Sequence, residues 1–113
     1  MESAERQFIE AARLHGQYTL EGDADQVNGA YDKIVEAVRS LRATPDKGVG
    51  PLLLCLKSDD PSVVVWSALY LLPFREEDAV LALEGVAKSG IPRVSLGAEM
   101  TVAEWRSGKL KVE

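Results

Sequence analysis

Residues 52–72, LLLCLKSDDPSVVVWSALYLL, are the most informative part of the chain for its fold. It contains an apolar segment, a short acidic break and a second apolar segment that opens with Asp60-Pro61. Aspartate is a favoured helix N-cap, and proline is tolerated at the first helical position because its missing N–H is not needed there. The stretch therefore predicts two helices joined by a tight turn, the second starting after Asp60 and ending before Pro73.

Four further helices are predicted around this pair. The first spans residues 3–18, where Gly16 is expected to weaken the last turn. The second begins at the N-cap Asp23 and stops before Thr44-Pro45. Its buried face is marked by residues that recur every three or four positions: Val27, Tyr31, Ile34, Val38 and Leu41. The fifth and sixth helices span residues 76–88 and 95–107, and Gly108 is expected to close the sixth.

These helices and their short loops predict an all-α protein, a compact α-α superhelix of about six antiparallel helices stacked in pairs. A chain of 113 residues has the length of one domain, residues 1–113. Within the core, Ile34 and Leu53 are expected to be buried. The final residues, 109–113, are expected to be frayed.

The net charge of the chain indicates which class of molecule it could bind. With 18 acidic against 13 basic residues, the formal net charge is −5. A nucleic-acid-binding protein needs a dense basic face to displace counterions from phosphate, so nucleic acid is not an expected partner. An acidic surface suits a protein partner that is itself basic.

The expected location is the cytoplasm. The longest apolar run, residues 63–74, is shorter than the roughly 20 residues that span a bilayer, so no membrane association is expected. The acidic, amphipathic N-terminal segment is unlike a signal peptide. Cys55 is the single cysteine, lies within an apolar run, and is expected to act as a small core hydrophobe.

The candidates for chemistry lack the partners that chemistry requires. His15 is the lone histidine, and no serine or cysteine is placed by the sequence to form a nucleophile–base pair with it. Glu21-x-Asp23-x-Asp25 is similar to the start of a calcium loop but lacks the glycine at position six and the glutamate at position twelve. We therefore expect no catalytic residue, no metal site, no cofactor and no enzymatic activity.

The middle of the chain resembles the HEAT repeat, in which a leucine-rich helix is followed by Asp-Pro-x-Val and then by small residues. The matching positions are Leu53, Leu56, Asp60, Pro61, Val63, Ser67, Ala68 and Leu71. Val64 stands where an arginine is usual, which puts in doubt the ion pair that this arginine often makes between repeats. The resemblance implies a superhelix that builds binding surfaces rather than a reaction centre.

Taken whole, the chain resembles the small bacterial domain-of-unknown-function family two thousand and nineteen. The matching segments are GDADQVNGAYDKI at 22–34, DDPSVVVWSALYLL at 59–72 and GAEMTVAEWRSGKL at 97–110. This resemblance implies an α-α superhelical fold and no established activity.

The outer face of the fourth helix has more apolar residues than a HEAT-type helix requires. Val65, Trp66 and Leu69 occupy positions that usually meet solvent. One interpretation is that the N-terminal helices or the sixth helix cover this face, since a small domain must bury its apolar residues. The other is an exposed docking patch anchored by Trp66 and Tyr70, because Trp and Tyr are enriched at binding hot spots.

A second candidate surface follows from connectivity. In an up-and-down arrangement, the first, third and fifth loops share one end of the stack. We call the acidic residues at these loops the acidic rim: Glu21, Asp23, Asp25, Asp59 and Asp60. They either serve only as helix caps and solvated loop residues, or also steer a basic partner.

The function that these features predict is non-catalytic protein binding. The leading hypothesis is a bacterial immunity-type protein that binds and neutralises a toxin or effector, such as a basic toxin domain. The alternative is a structural or adaptor HEAT-like domain that organises a larger assembly. Either role allows a homo-oligomer, and an enzyme accessory or catalytic domain is the least favoured hypothesis.

Overall fold

The computed structural model describes residues 3–112. Within this range the chain forms six α-helices and no strand, which confirms the predicted all-α class. The helices are α1 (Ala4–Glu21), α2 (Ala24–Arg42), α3 (Val49–Cys55), α4 (Pro61–Leu71), α5 (Glu76–Ala87) and α6 (Val94–Arg106).

Two of the helix starts follow the predicted capping chemistry. The Asp23 carboxylate accepts a hydrogen bond from the Gln26 backbone N–H at 3.1 Å at the start of α2. The Asp60 carboxylate accepts from the backbone N–H groups of Ser62 and Val63 at 2.9 and 3.4 Å, and Pro61 is the first residue of α4. Both carboxylates thus satisfy N–H groups that the helices themselves leave unpaired.

Gly16 does not weaken α1 as predicted, because the helix continues to Glu21. Its role is close packing. An added Cβ atom at Gly16 would lie 1.9 Å from the Ser62 Oγ and 2.7 Å from the Ser62 Cβ. The missing side chain therefore allows α1 to approach the first turn of α4. The helix ends instead at Gly22, whose φ of 74° is the left-handed conformation that glycine adopts readily.

α4 lies at the centre of the molecule. It packs against α3 and α5, its neighbours in sequence, and also against α1 and α6. This arrangement explains why α4 is almost entirely apolar, since the other helices cover most of its surface. The largest fully buried apolar side chains are spread over the first five helices and the turn after α4: Phe8, Ile34, Leu52, Val63, Leu71, Leu72 and Leu83.

The predicted buried face of α2 is only partly correct. Ile34, Val38 and Leu41 are buried, but Val27 is half-buried and Tyr31 keeps 46% of its surface exposed. The reason is that α2 packs chiefly against α1, so the side of α2 that carries Tyr31 faces an open groove. In α3, Leu53 is half-buried rather than fully buried.

The C-terminal segment is packed rather than frayed as far as residue 112. Leu110 and Val112 are half-buried and lie against the hydrophobic core. None of the helices in the described part of the chain is both long and apolar enough to cross a bilayer.

Candidate protein-binding surfaces

Trp66 is the centre of an aromatic cluster built from three helices. Its indole meets the ring of His15 from α1 edge-on at a centroid distance of 4.9 Å. Tyr31 from α2 lies at 5.9 Å, and Tyr70, one turn further along α4, stacks at 6.4 Å. Tyr70 in turn contacts the buried ring of Phe8 edge-on at 6.4 Å. Edge-to-face and offset rings add specific contacts to the burial of apolar surface.

This cluster decides between the two interpretations of the outer face of α4. Tyr70 is buried, with only 8% of its surface exposed, so the prediction of Tyr70 as an exposed anchor is wrong. Trp66 is half-buried and still lines two surface depressions. Val65 and Leu69 are half-buried as well, so α1 and α6, with Tyr31 of α2, cover much of this face but leave part of it open.

The open part is a groove between α2 and α4, which we call the aromatic groove. Its volume is about 760 Å³. It is lined by Tyr31, Asp32, Val35, Glu36, Val38 and Arg39 of α2, by Trp66, Leu69 and Tyr70 of α4, and by Leu110, Lys111 and Val112 of the C-terminal segment. The lining combines aromatic and aliphatic side chains with four charged ones, and aromatic residues are enriched at the centres of protein interfaces.

Arg42 ties α2 to the end of α4. Its guanidinium donates to the backbone carbonyls of Tyr70 and Lys47. The guanidinium carbon lies 4.7 Å from the Phe74 ring centre and 5.9 Å from the Tyr70 ring centre, distances at which a cation is attracted to an aromatic face. Partial burial lowers the pKa of Arg42 from its usual range. Arg42 thus helps to hold the two helices that form the aromatic groove.

A smaller cleft lies on the opposite side of Trp66, between α1, α4 and α6. Its volume is about 210 Å³, and its lining includes His15, Thr19, Trp66, Arg93 and Thr101. Burial lowers the pKa of His15, which favours the neutral imidazole beside the indole. The Thr19 hydroxyl donates to the His15 carbonyl at 2.7 Å, so it is committed to the α1 backbone.

At the acidic rim, two of the predicted residues have a defined structural task. Asp23 and Asp60 are the N-caps of α2 and α4. Glu21, Asp25 and Asp59 are exposed; the Glu21 carboxylate accepts a weak hydrogen bond from Gln17 at 3.4 Å.

The loops of the rim are linked by contacts outside the carboxylates. The Arg93 guanidinium, in the loop before α6, donates to the Thr19 carbonyl in the last turn of α1 at 2.8 Å. The Gly16–Ser62 contact brings the start of α4 to the same half of α1. The first contact places basic Arg93 beside the last turn of α1, which ends at Glu21. Across residues 3–112, no three or more His, Cys, Asp or Glu side chains are grouped so that they could hold a metal ion.

Cys55 is buried in α3. Burial, with a smaller contribution from the charge of Glu5, raises the pKa of its thiol to about 11. The thiol therefore stays protonated at neutral pH, and the thiolate is the reactive form of cysteine.

Sequence reasoning missed three parts of this surface. Tyr31 shares the helical spacing of Ile34 and Val38, so periodicity alone assigned it to the core. The role of Arg42 was not predicted because its partners, the Tyr70 carbonyl and the Phe74 ring, lie far from it along the chain. The alternation of Lys and apolar residues in KLKV, residues 109–112, is the signal that could have identified the packed segment, since an extended chain presents alternate side chains to one face.

No protein-family model matches this chain, and comparisons with curated proteins and with solved structures also find no match.

Proposed function

We propose that this chain is a non-catalytic protein-binding module, and that it acts in the bacterial cytoplasm as an immunity-type protein that binds and neutralises a toxin or effector. The observation that carries the proposal is the aromatic groove, where Trp66 and the 46%-exposed Tyr31 remain open between two helices. Large amphipathic rings of this kind supply most of the binding energy at many protein interfaces.

The net negative charge of the chain supports a basic protein as the partner. The net charge is −5, and Glu21, Asp25 and Asp59, which connectivity predicts to lie at one end of the helices, are exposed. Complementary charge raises association rates and selects against acidic partners. A toxin whose active surface is basic, such as one directed at nucleic acid, has the chemistry that this surface fits.

The alternative, a structural or adaptor HEAT-like domain that organises a larger assembly, is supported by a different surface. α5 and α6 expose large apolar side chains away from the aromatic groove, namely Leu81, Leu96 and Met100. Exposed apolar residues on neighbouring helices suit stacking against another helical unit, including a second copy of this chain.

The experiment that tests the proposal is capture of partners from the native cell with the full chain as bait, followed by an assay of the captured partner. We expect the wild-type chain to retain a partner and to suppress its toxicity on co-expression. Tyr31→Ser removes an exposed ring from the aromatic groove and should weaken both effects by about tenfold or more, the size expected for a hot-spot residue.

The matched control is Leu81→Ser, which removes the most exposed of the large apolar side chains, at 73%, from α5. It should leave capture and protection unchanged under the leading proposal. Loss of partner retention with Leu81→Ser but not with Tyr31→Ser would favour the adaptor alternative. A captured partner whose activity is unaffected by this chain would refute the immunity-type role.

Trp66 and Tyr70, the anchors of the docking-patch interpretation, have a different expected outcome. Because Trp66 and Tyr70 pack against His15, Tyr31 and Phe8, changing both to Ser should destabilise the isolated protein. Truncating a buried aromatic residue such as Tyr70 costs about 3–5 kcal/mol, and loss of the half-buried Trp66 adds to this. Thermal unfolding measures this loss, and an unchanged melting temperature would restore the idea that these side chains are free for docking.

A further inference from the structure

The cleft between α1, α4 and α6, which we call the small cleft, differs in charge from the other depressions of the protein. The aromatic groove is lined by Asp32 and Glu36, and the two depressions along α5 and α6 are both lined by Glu84. Among the described residues that line the small cleft, the ionisable side chains are those of His15 and Arg93, and none is a carboxylate. A guanidinium therefore borders this cleft of an acidic protein with no carboxylate in the same wall.

Arg93 reaches the small cleft from a strained turn. Its φ is 64° and its ψ is −43°, and the Val94 backbone N–H donates to the Pro92 carbonyl at 2.7 Å. This is a γ-turn of the rare type with positive φ, and strained backbone of this kind is concentrated at functional sites. The guanidinium is anchored through Nη1, which donates to the Thr19 carbonyl at 2.8 Å. Across residues 3–112, the ion pairs involve other arginines, so the charge of Arg93 is available to a ligand.

The apolar part of the small cleft is a corner between two rings. The planes of the His15 imidazole and the Trp66 indole meet at 75°, with their centres 4.9 Å apart. Val65 and Leu69 of α4 are half-buried and continue the wall. Burial lowers the pKa of His15, so the imidazole is neutral at neutral pH and adds no charge to this corner. Such a corner suits a planar apolar group, which can meet one ring face-on and the other edge-on.

Gly97 of α6 is a part of the small cleft that packing does not explain. It is half-buried and lines the cleft, but an added Cβ atom there would meet nothing within 4 Å. Gly16 is different, because its Cβ would collide with Ser62. Glycine destabilises a helix relative to alanine, and at Gly97 no neighbouring residue requires it. The missing side chain instead leaves room along the wall of the cleft.

We propose that the small cleft binds a small organic acid with one carboxylate and a planar, apolar body, the carboxylate on Arg93 and the body against Trp66 and His15. The guanidinium matches a carboxylate with two parallel hydrogen bonds. The cleft volume of about 210 Å³ is below the roughly 300–1,000 Å³ of drug-sized sites, so the ligand is a small molecule of this class. This binding activity goes beyond the proposed protein-binding function and uses a separate site, although Trp66 borders both.

The test is a titration of the full-length, ¹⁵N-labelled chain with benzoate, followed by NMR. The chain has two tryptophans and hence two indole N–H signals, which Trp105→Phe assigns by elimination. We expect benzoate to shift the Trp66 signal but not that of Trp105, which lines a different depression. The dissociation constant should be on the order of 1 mM or lower, as for a ligand of this size. Benzamide has the same shape without the charge and should bind about tenfold more weakly.

Two variants test the two parts of the site. Arg93→Gln removes the charge and should weaken benzoate binding about tenfold while leaving benzamide binding unchanged. Gly97→Leu places a side chain at the wall and should weaken both compounds by about tenfold or more. Gly85→Leu is the matched control, because Gly85 is an exposed helical glycine of α5 whose added Cβ also meets nothing within 4 Å. It should leave both affinities unchanged.

Several results would overturn the proposal. They are equal affinities for benzoate and benzamide, unchanged benzoate binding to Arg93→Gln or to Gly97→Leu, and an unmoved Trp66 signal at about 10 mM benzoate. Tighter binding of the tripeptide GGF than of benzoate would assign the cleft to the carboxyl terminus of a protein rather than to a free acid. If circular dichroism shows that Gly97→Leu is unfolded, Gly97→Ala provides the same comparison with a smaller expected loss.

Discussion

Asp46 illustrates how a single exposed side chain organises a helix start. Its carboxylate accepts hydrogen bonds from the backbone N–H groups of Gly48 and Gly50 at 3.0 and 2.9 Å, and from the Thr44 hydroxyl at 3.0 Å. α3 begins at Val49, ahead of Pro51, because Asp46 supplies the cap from three residues upstream. The two backbone N–H groups, with the hydroxyl, lower the pKa of Asp46 below its usual range.

The prediction for Asp46 concerns pH. A carboxylate whose pKa is lower in the folded than in the unfolded state stabilises the fold above the unfolded pKa of about 3.9, and this contribution is lost as pH falls through the folded pKa. Asp46→Asn should therefore lower the urea midpoint at neutral pH, and its difference from wild type should shrink below about pH 4. Asp59→Asn, at an exposed loop position, is the control. A difference that is constant with pH would contradict this account.

Ile34 and Leu53 are both predicted core residues, but they differ in how deeply they are buried. Ile34 is fully buried, so Ile34→Ala should cost about 2–5 kcal/mol of unfolding free energy. Leu53 is half-buried, so Leu53→Ala should cost clearly less. Leu54, at 63% exposed, is the neighbouring control, and its change to Ala should stay within about 0.5 kcal/mol. Denaturant titrations measure the unfolding free energy of all three variants. An equal loss of stability for Ile34→Ala and Leu54→Ala would contradict the burial of Ile34.

At the scale of elements, the contact between α1 and α4 depends on Gly16. Gly16→Ala should destabilise the protein by about 1–3 kcal/mol, because the new methyl overlaps both the Oγ and the Cβ of Ser62 and rotating the hydroxyl cannot clear the Cβ. Gly29→Ala is the matched control: its Cβ would meet nothing within 4 Å, and alanine is the better helix former, so the change should stabilise α2 by about 0.4–1 kcal/mol. Calorimetry distinguishes these opposite signs, and a stabilised Gly16→Ala variant would refute the close approach.

At the scale of the whole molecule, the acidic rim makes a kinetic prediction. Glu21 and Asp59 are exposed, and neither is the N-cap of a helix. If the rim steers a basic partner, Glu21→Lys/Asp59→Lys should slow association several-fold, mostly at low salt, because complementary charge acts chiefly on the encounter. Surface plasmon resonance with the captured partner measures the rate.

The control double variant changes the net charge by the same amount but lies outside the acidic rim. Glu99→Lys/Glu104→Lys alters two exposed residues in the middle and at the far end of α6. Equal slowing by both double variants would assign the effect to net charge rather than to the rim. An unchanged rate for the rim variant would leave Glu21 and Asp59 as solvated loop residues only.

Helix boundaries could be predicted from the amino-acid sequence wherever the chemistry of adjacent residues sets them. Asp23, Asp60 and Pro61 specify helix starts through hydrogen bonds and backbone geometry within a few residues. Gly108 ends α6 because its left-handed backbone lets the next N–H groups satisfy the last carbonyls. These features depend on neighbours along the chain, so they can be predicted without knowing the packing.

Which apolar side chains are covered could not be predicted from the sequence, because it depends on how the helices pack. Tyr31 and Ile34 share one periodic face, but α1 covers Ile34 while the gap between α2 and α4 leaves Tyr31 open. Tyr70 is buried by contacts with residues of other helices, and Leu110 and Val112 are half-buried against the core. Burial depends on residues distant in sequence, and helical periodicity carries no information about them.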